Sequence, residues 1–289
     1  MTRTMKTVSI AIAVAVTAVV LGIAATRQDS SQAAEAAGPP AGNSGEYARL
    51  AAATPPAQPA DAQREGSAMA AIREAAAANR HMFLFLYMKH DEQTGSAQKT
   101  FESTMGKIGN KADRAVVDCS APAEKDLVEK FGLSTAPMPL ILVLAPNGAI
   151  TTGFPAGQVS EERLQDAFAS SAMQKSLKAL QERKLVILCA QNGATKFNSE
   201  AMSGVQAFKD DARFSPITEI VKVDPADADE AAFMAKLKLD PKTDQATTLV
   251  MAPPGAIVAA FKGATDKDTL FAAVLKGCGS GGCGPAGCK

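Results

Sequence analysis

Leu142–Phe154 reads LVLAPNGAITTGF, and Leu249–Phe261 reads LVMAPPGAIVAAF. Eight of these thirteen positions are identical at an offset of 107 residues. Each stretch is an apolar run, a Pro/Gly turn and a second short run. Asn147-Gly148 is a strong hairpin signal, because both residues tolerate the positive φ that tight hairpin turns require. Working outward at an offset of 106, Asp118 matches Asp224, Leu127-Val128 match Phe233-Met234, Phe131 matches Leu237 and Leu133 matches Leu239. Leu164 and Phe168 match Leu270 and Val274. Further back, Phe83–Tyr87 (FLFLY) corresponds to Leu185–Cys189 (LVILC) at an offset of 102. The matched positions are mostly apolar, so what is duplicated is a core, and the chain holds two copies of one unit.

Spacing assigns the elements of the unit. An opening helix carries Met69, Ile72 and Ala76 in the first copy, and Met173, Leu177 and Leu180 in the second. A continuous apolar strand follows (82–88; 184–190), as expected of a strand buried on both faces. The next helix carries Phe101, Met105 and Ile108, or Phe197, Ala201 and Phe208. A second strand ends in Asp118 or Asp224. A third helix follows, with Gly132 as its C-cap in the first copy. Two strands then flank the quoted turn. The last helix starts near Ser160 or Thr265, where Thr265 and Asp268 have capping-box spacing. His81 precedes the first strand and is expected at the surface. The order is αβαβαββα.

This order resembles the thioredoxin fold, a mixed central sheet with flanking helices. Met138-Pro139-Leu140-Ile141-Leu142-Val143-Leu144 places Pro139 where that family carries its cis-proline. Lys130-Phe131-Gly132-Leu133 resembles the family's helix end before that loop. The resemblance covers about 64–277 in two copies. It implies an α/β chain with two tandem thioredoxin-like domains, 63–170 and 171–277. The family's Cys-x-x-Cys belongs after the first core strand, at a helix N-terminus that favours a thiolate. That loop reads Met88-Lys89-His90-Asp91-Glu92-Gln93-Thr94-Gly95 in one copy and Ala190-Gln191-Asn192-Gly193-Ala194-Thr195 in the other. Neither holds a cysteine after its strand, and Ala246 stands where the repeat places Pro139. Disulfide exchange needs a thiolate and a resolving partner at that spot. No catalytic residue is therefore assigned, and an enzyme of the usual thioredoxin type is not expected.

Residues 1–25 place Arg3 and Lys6 ahead of the uncharged run 7–25. A positive flank before an apolar run marks export, either as a cleaved signal peptide or as a retained membrane anchor. Both put the remainder outside the cytoplasm. Residues 26–62 are rich in Ala, Pro, Gly and Ser. They carry too little apolar surface to offset ordering entropy, and read as a disordered linker. The whole chain of 289 residues balances 30 basic against 30 acidic residues. Without a basic surplus or a basic cluster, nucleic-acid binding is not expected. Two histidines leave little for a multi-histidine metal centre. No phosphate loop, serine elbow or dinucleotide fingerprint occurs.

Sulfur concentrates at the far end. Residues 278–289 form a Gly/Cys-rich tail in which Cys278, Cys283 and Cys288 recur every five residues. Three thiolates on a glycine backbone suit a soft ion, Cu(I), or Zn with a fourth ligand. A reactive dithiol serving a partner is another reading, and an oxidised or crosslinking tail without catalytic role is the leading one. No other cofactor is expected. Cys119 and Cys189 end strands and read as buried apolar residues. His90-Asp91-Glu92 reads as a solvated helix N-terminus. Asp118 and Asp224 read as turn or cap residues. These expectations describe an exported pair of redox-silent domains that binds protein or peptide. The alternative is a redox adaptor or soft-metal carrier acting through the tail.

Overall fold

A computed structural model describes residues 67–279. The apolar run 7–25, the linker 26–62, Cys283 and Cys288 lie outside the described residues. The first unit runs α1 (Ser67–Ala77), β1 (His81–Tyr87), α2 (Glu92–Ile108), β2 (Ala112–Asp118), α3 (Lys125–Phe131), β3 (Leu140–Leu144), β4 (Ile150–Pro155) and α4 (Glu161–Asp166). The second runs α5 (Ser171–Gln181), β5 (Leu185–Ala190), α6 (Asn198–Lys209), β6 (Thr218–Val223), α7 (Ala231–Lys236), β7 (Thr247–Ala252), β8 (Ala256–Lys262) and α8 (Lys267–Gly279). Short 3-10 turns join several of these.

The strands form two four-stranded mixed sheets, ordered β2-β1-β3-β4 and β6-β5-β7-β8. In each, the first two strands of the unit pair in parallel and the other pairings are antiparallel. The alternation of β1 explains its apolar continuity. Met82, Leu84 and Leu86 enter one core with Ile72 of α1 and Leu127 of α3. Phe83 and Phe85 enter the other with Phe101 and Met105 of α2 and Leu164 of α4. Covered on both faces, Met82–Leu86 gives none of its positions to a polar residue. β5 repeats the arrangement, with Val186 and Leu188 on one side and Ile187 and Cys189 on the other.

The duplication extends to irregularities. Leu142 pairs with Gly153 and Leu249 with Ala260, both 107 residues on. The β-bulge falls between Val143 and Leu144 in one hairpin and between Val250 and Met251 in the other, again 107 apart. The first strands correct the sequence alignment. Leu84 pairs with Leu142, whereas Leu188 pairs with Leu249, so β1 maps onto β5 at 104 rather than 102. A two-residue slip leaves every side chain on its original face, so apolar pattern alone does not distinguish the two registers.

Three local expectations also change. His81 is buried at 8 % exposure, and its Nε2 accepts a hydrogen bond from Ala169 N–H at 3.1 Å. Phe197 is not on the core face of α6; it is 45 % exposed and stands at the N-cap with φ 65°. The core of α6 is instead Ala201, Gly204, Val205 and Phe208. Asp266 accepts from Thr269 N–H at the start of α8, so Asp266 takes the capping role that spacing gave to Thr265. Thr265 is buried.

The units abut. Asn147 of the first hairpin donates to Gln174 O at 2.8 Å. Gln181, in the last turn of α5, accepts from Ile150 N–H at 2.9 Å and donates to Ile150 O at 2.7 Å. One side-chain amide thus occupies both main-chain groups of Ile150 on the outer edge of β4.

Candidate functional site

In a sheet of this kind, ligand-binding loops gather beyond the carboxyl ends of the parallel strands, where helix N-termini also point. In the first unit this is the segment from Met88 to Glu92, with Asp118–Ser120 after β2 and Met138-Pro139 before β3. The Met138–Pro139 peptide bond is cis, and Pro139 O accepts from Ala156 N–H at 2.9 Å. Asp91 caps α2 by accepting from Thr94 N–H at 2.8 Å. Hydrogen bonds from Thr94 hold its carboxyl below the usual carboxylate range. Asp118 accepts from Ser120 N–H at 2.9 Å and Ser120 Oγ at 2.6 Å. Those bonds lower its pKa as well. The His90 ring meets Tyr87 edge-on at 5.8 Å. His90, Asp91 and Glu92 are all exposed.

The second unit builds the same place differently. Asn192 donates to Asp224 Oδ1 at 2.7 Å. Asp224 also accepts from Ala226 N–H at 2.9 Å. These bonds, the one from Asn192 first, depress its pKa. Thr195 Oγ1 donates to Asn192 O at 2.9 Å, and Asn198 donates to the same carbonyl at 2.7 Å. Ala246, at the repeat position of Pro139, donates its N–H to Lys196 O at 2.9 Å. Lys196 N–H donates to Asp244 O at 2.9 Å. A proline at 246 has no N–H for that bond, so the two loops here are stitched together by main chain. The Phe197 ring lies against Gly263: a Cβ there would stand 3.5 Å from Phe197 Cδ2.

Cys119 lies within the Asp118–Ser120 loop and Cys189 within β5, but both side chains are buried in the cores. Cys119 is buried in the α1/α3-side core, where burial, with the Asp118 charge adding, pushes its thiol up to about 11. Cys189 is 1 % exposed, and burial pushes it up to about 12. Both are free thiols. Such groups are neutral at physiological pH and act as small apolar side chains. Cys278 falls in the last turn of α8. Among the described residues, no three His, Cys, Asp or Glu side chains are grouped to hold a metal ion. None of the described helices is long and apolar enough to cross a membrane.

Two cavities flank these elements. One of about 670 Å³ opens beside the start of α2, lined by Asp91, Glu92, Ser96 and Thr100 with Ala156 and Val159. The other, about 500 Å³, spans both units. Thr151, Phe154 and Arg163 line it from the first, Met173 and Lys236 from the second. This junction cavity is absent from any reading of one copy at a time, because neither copy forms it alone.

No protein-family model and no curated protein matches the sequence. Among solved structures, the chain is similar to the germline-specific thioredoxin Deadhead of Drosophila melanogaster, at 22% identity and TM-score 0.26, over 32% of this chain and 83% of that one. It is similar to zinc-bound human ERp44 at 11% identity and TM-score 0.32, over 74% of this chain and 61% of that one. It is also similar to the first two thioredoxin domains of Naumovozyma dairenensis Eps1p, at 12% identity and TM-score 0.27, over 76% and 98%. Thioredoxin-fold proteins are thus among its structural neighbours. None of them transfers a residue role to this chain.

Proposed function

We propose that the protein is an exported, non-enzymatic module in which two thioredoxin-like units, silent in thiol exchange, bind a protein or peptide across their adjoining faces. The observation that carries this reading is the chemistry of the two strand-end loops. Each is filled by carboxylates, amides and hydroxyls bound to one another or to helix N–H groups, while both core thiols are buried and held neutral. The junction cavity supplies the binding face. It offers the half-buried Met173 as apolar surface, with Arg163 over the buried Phe154 ring at 5.8 Å and Lys236, Glu162 and Asp166 also in its lining. That combination suits an amphipathic peptide better than a small apolar ligand. Export, by cleaved signal or retained anchor, rests on residues 1–25.

A second reading is favoured by Cys278, Cys283 and Cys288 at five-residue spacing. In it the tail carries a soft metal or a dithiol, and the two units present it.

The test places a photoreactive benzoylphenylalanine at Lys236 in the full chain, expressed in its own cell envelope. Irradiation should give a protein or peptide adduct that is missing when the probe sits at Lys99 on α2. Equal labelling at both positions, or none at Lys236, contradicts the junction as a binding face. Metal retained by the full chain but lost when Cys278, Cys283 and Cys288 are all serine would support the second reading.

A further inference from the structure

Asparagine is followed by glycine at two places in the chain, Asn147-Gly148 and Asn192-Gly193. Glycine has no Cβ, so its main-chain nitrogen can approach the side-chain amide that precedes it. The two asparagines are held alike. Asn147 Oδ1 accepts from Ala149 N–H at 3.0 Å, and its Nδ2 donates to Gln174 O at 2.8 Å. Asn192 Oδ1 accepts from Ala194 N–H at 2.9 Å, and its Nδ2 donates to Asp224 Oδ1 at 2.7 Å.

The glycines differ. Gly148 is half-buried in the β3–β4 hairpin, and its N–H donates to Ala145 O at 2.8 Å. Gly193 is exposed, and its N–H meets no acceptor among the described residues. With the side-chain restraints matched, one glycine nitrogen is engaged and the other is free.

We propose that Asn192-Gly193 is a self-modification site, at which the Gly193 nitrogen attacks the Asn192 side-chain amide and water completes the conversion of Asn192 to aspartate or isoaspartate. A bond forms between Gly193 N and Asn192 Cγ, and the Cγ–Nδ2 bond breaks. Nδ2 leaves as ammonia with the Gly193 proton, and a cyclic imide remains. Water opens the imide at either carbonyl; nothing is oxidised or reduced. Exposure of Gly193 and Ala194 admits that water.

Position gives the conversion its effect. Asn192 follows β5 and ties the loop there to Asp224 after β6. A carboxylate at 192 has no N–H to give Asp224 and opposes it with like charge. Isoaspartate also reroutes the main chain through the side-chain carbons. That displaces the Asn192 carbonyl, which accepts from Thr195 Oγ1 and Asn198 Nδ2. Conversion therefore unties the strand-end loop of the second unit and leaves the first unit unaltered.

The experiment incubates the full chain in detergent micelles, in heavy-oxygen water at physiological pH and temperature, and maps the label by mass spectrometry of its peptides. Asn192 should convert roughly two- to tenfold faster than Asn147, the factor that one main-chain hydrogen bond is worth. In the urea-unfolded chain the two should convert at similar rates. A Cβ at Gly193 meets nothing within 4 Å, so Gly193→Ala keeps the fold and should slow conversion at Asn192. Asn192→Asp should raise the pH at which the Asp224 carboxyl titrates. Conversion at Asn192 no faster than at Asn147 in the folded chain overturns the proposal. So does a difference that persists in urea, since it would then come from flanking sequence. Gly193→Ala without slowing, or an Asp224 titration that Asn192→Asp leaves unchanged, overturns it as well.

Discussion

His81 begins β1, yet its ring is enclosed by the segment after α4, edge-on to Phe168 at 4.9 Å. Its Nε2 must be unprotonated to accept the Ala169 N–H. Burial lowers its pKa below the ordinary 6.5. The unfolded chain therefore takes up a proton first as pH falls through 6.5, and in that window it binds more protons than the folded chain. Stability from this residue is complete above 6.5 and declines as pH drops, until folded His81 itself protonates. Urea midpoints measured between pH 7.5 and 5 should fall with pH, and His81→Leu should flatten that fall while lowering the midpoint at neutral pH. A second outcome concerns sulfur. Cys119 and Cys189, with thiols pushed up to about 11 and about 12 by burial, should not react with a disulfide reagent at pH 8 in the native protein. Both should titrate once the chain is unfolded in denaturant.

At the scale of elements, α6 meets the backbone that leads into α8 at Gly204. A Cβ there would lie 1.8 Å from Thr265 O. The obstacle is backbone, so Gly204→Ala forces the helices apart and should cost about 3 kcal/mol, at the upper end of overpacking effects. Gly106 in α2 faces open space. Gly106→Ala should therefore stabilise the protein by about 0.5–1 kcal/mol through helix propensity alone. Thermal midpoints of the two variants should move in opposite directions.

Another pair of elements is joined by repeated buried acids. Glu124 accepts from Ser67 Oγ at 2.9 Å and Ala68 N–H at 3.3 Å. Glu230, 106 residues on, accepts from Ser170 Oγ at 2.5 Å and Ala172 N–H at 2.8 Å. Each glutamate fastens the start of its unit's opening helix to the turn before α3 or α7. Glu230→Ala leaves those donors without their acceptor and should cost about 1–3 kcal/mol in urea unfolding. Glu230→Gln, which retains one acceptor oxygen, should cost less.

Much of this was legible before any coordinates. Apolar runs and turn residues carry period and face, so the element order, the Gly132 cap at φ 62° and the hairpin at Asn147-Gly148 follow from sequence. What pattern does not carry is contact between distant residues. Glu124 and Glu230 carry no signal of enclosure in their own neighbourhoods; only their matched spacing at 106 sets them apart. His81 read as surface because its cover, Phe168-Ala169, lies 88 residues away. The two-residue slip of β1 against β5 was invisible because it preserves faces. Of the site, sequence located both loops and their lack of thiol; it gave no sign of the junction cavity, which exists only once α5 packs against β4.

For the whole molecule, the account joins two copies of one fold that diverged at their loops while keeping register and bulges. The central claim is that neither copy exchanges disulfides. The direct measurement is insulin reduction by dithiothreitol, followed by turbidity, with the full chain bearing serine at Cys278, Cys283 and Cys288. The account predicts a rate equal to that of the reductant alone. Acceleration by this variant, which Cys119→Ser or Cys189→Ser then abolishes, would contradict it.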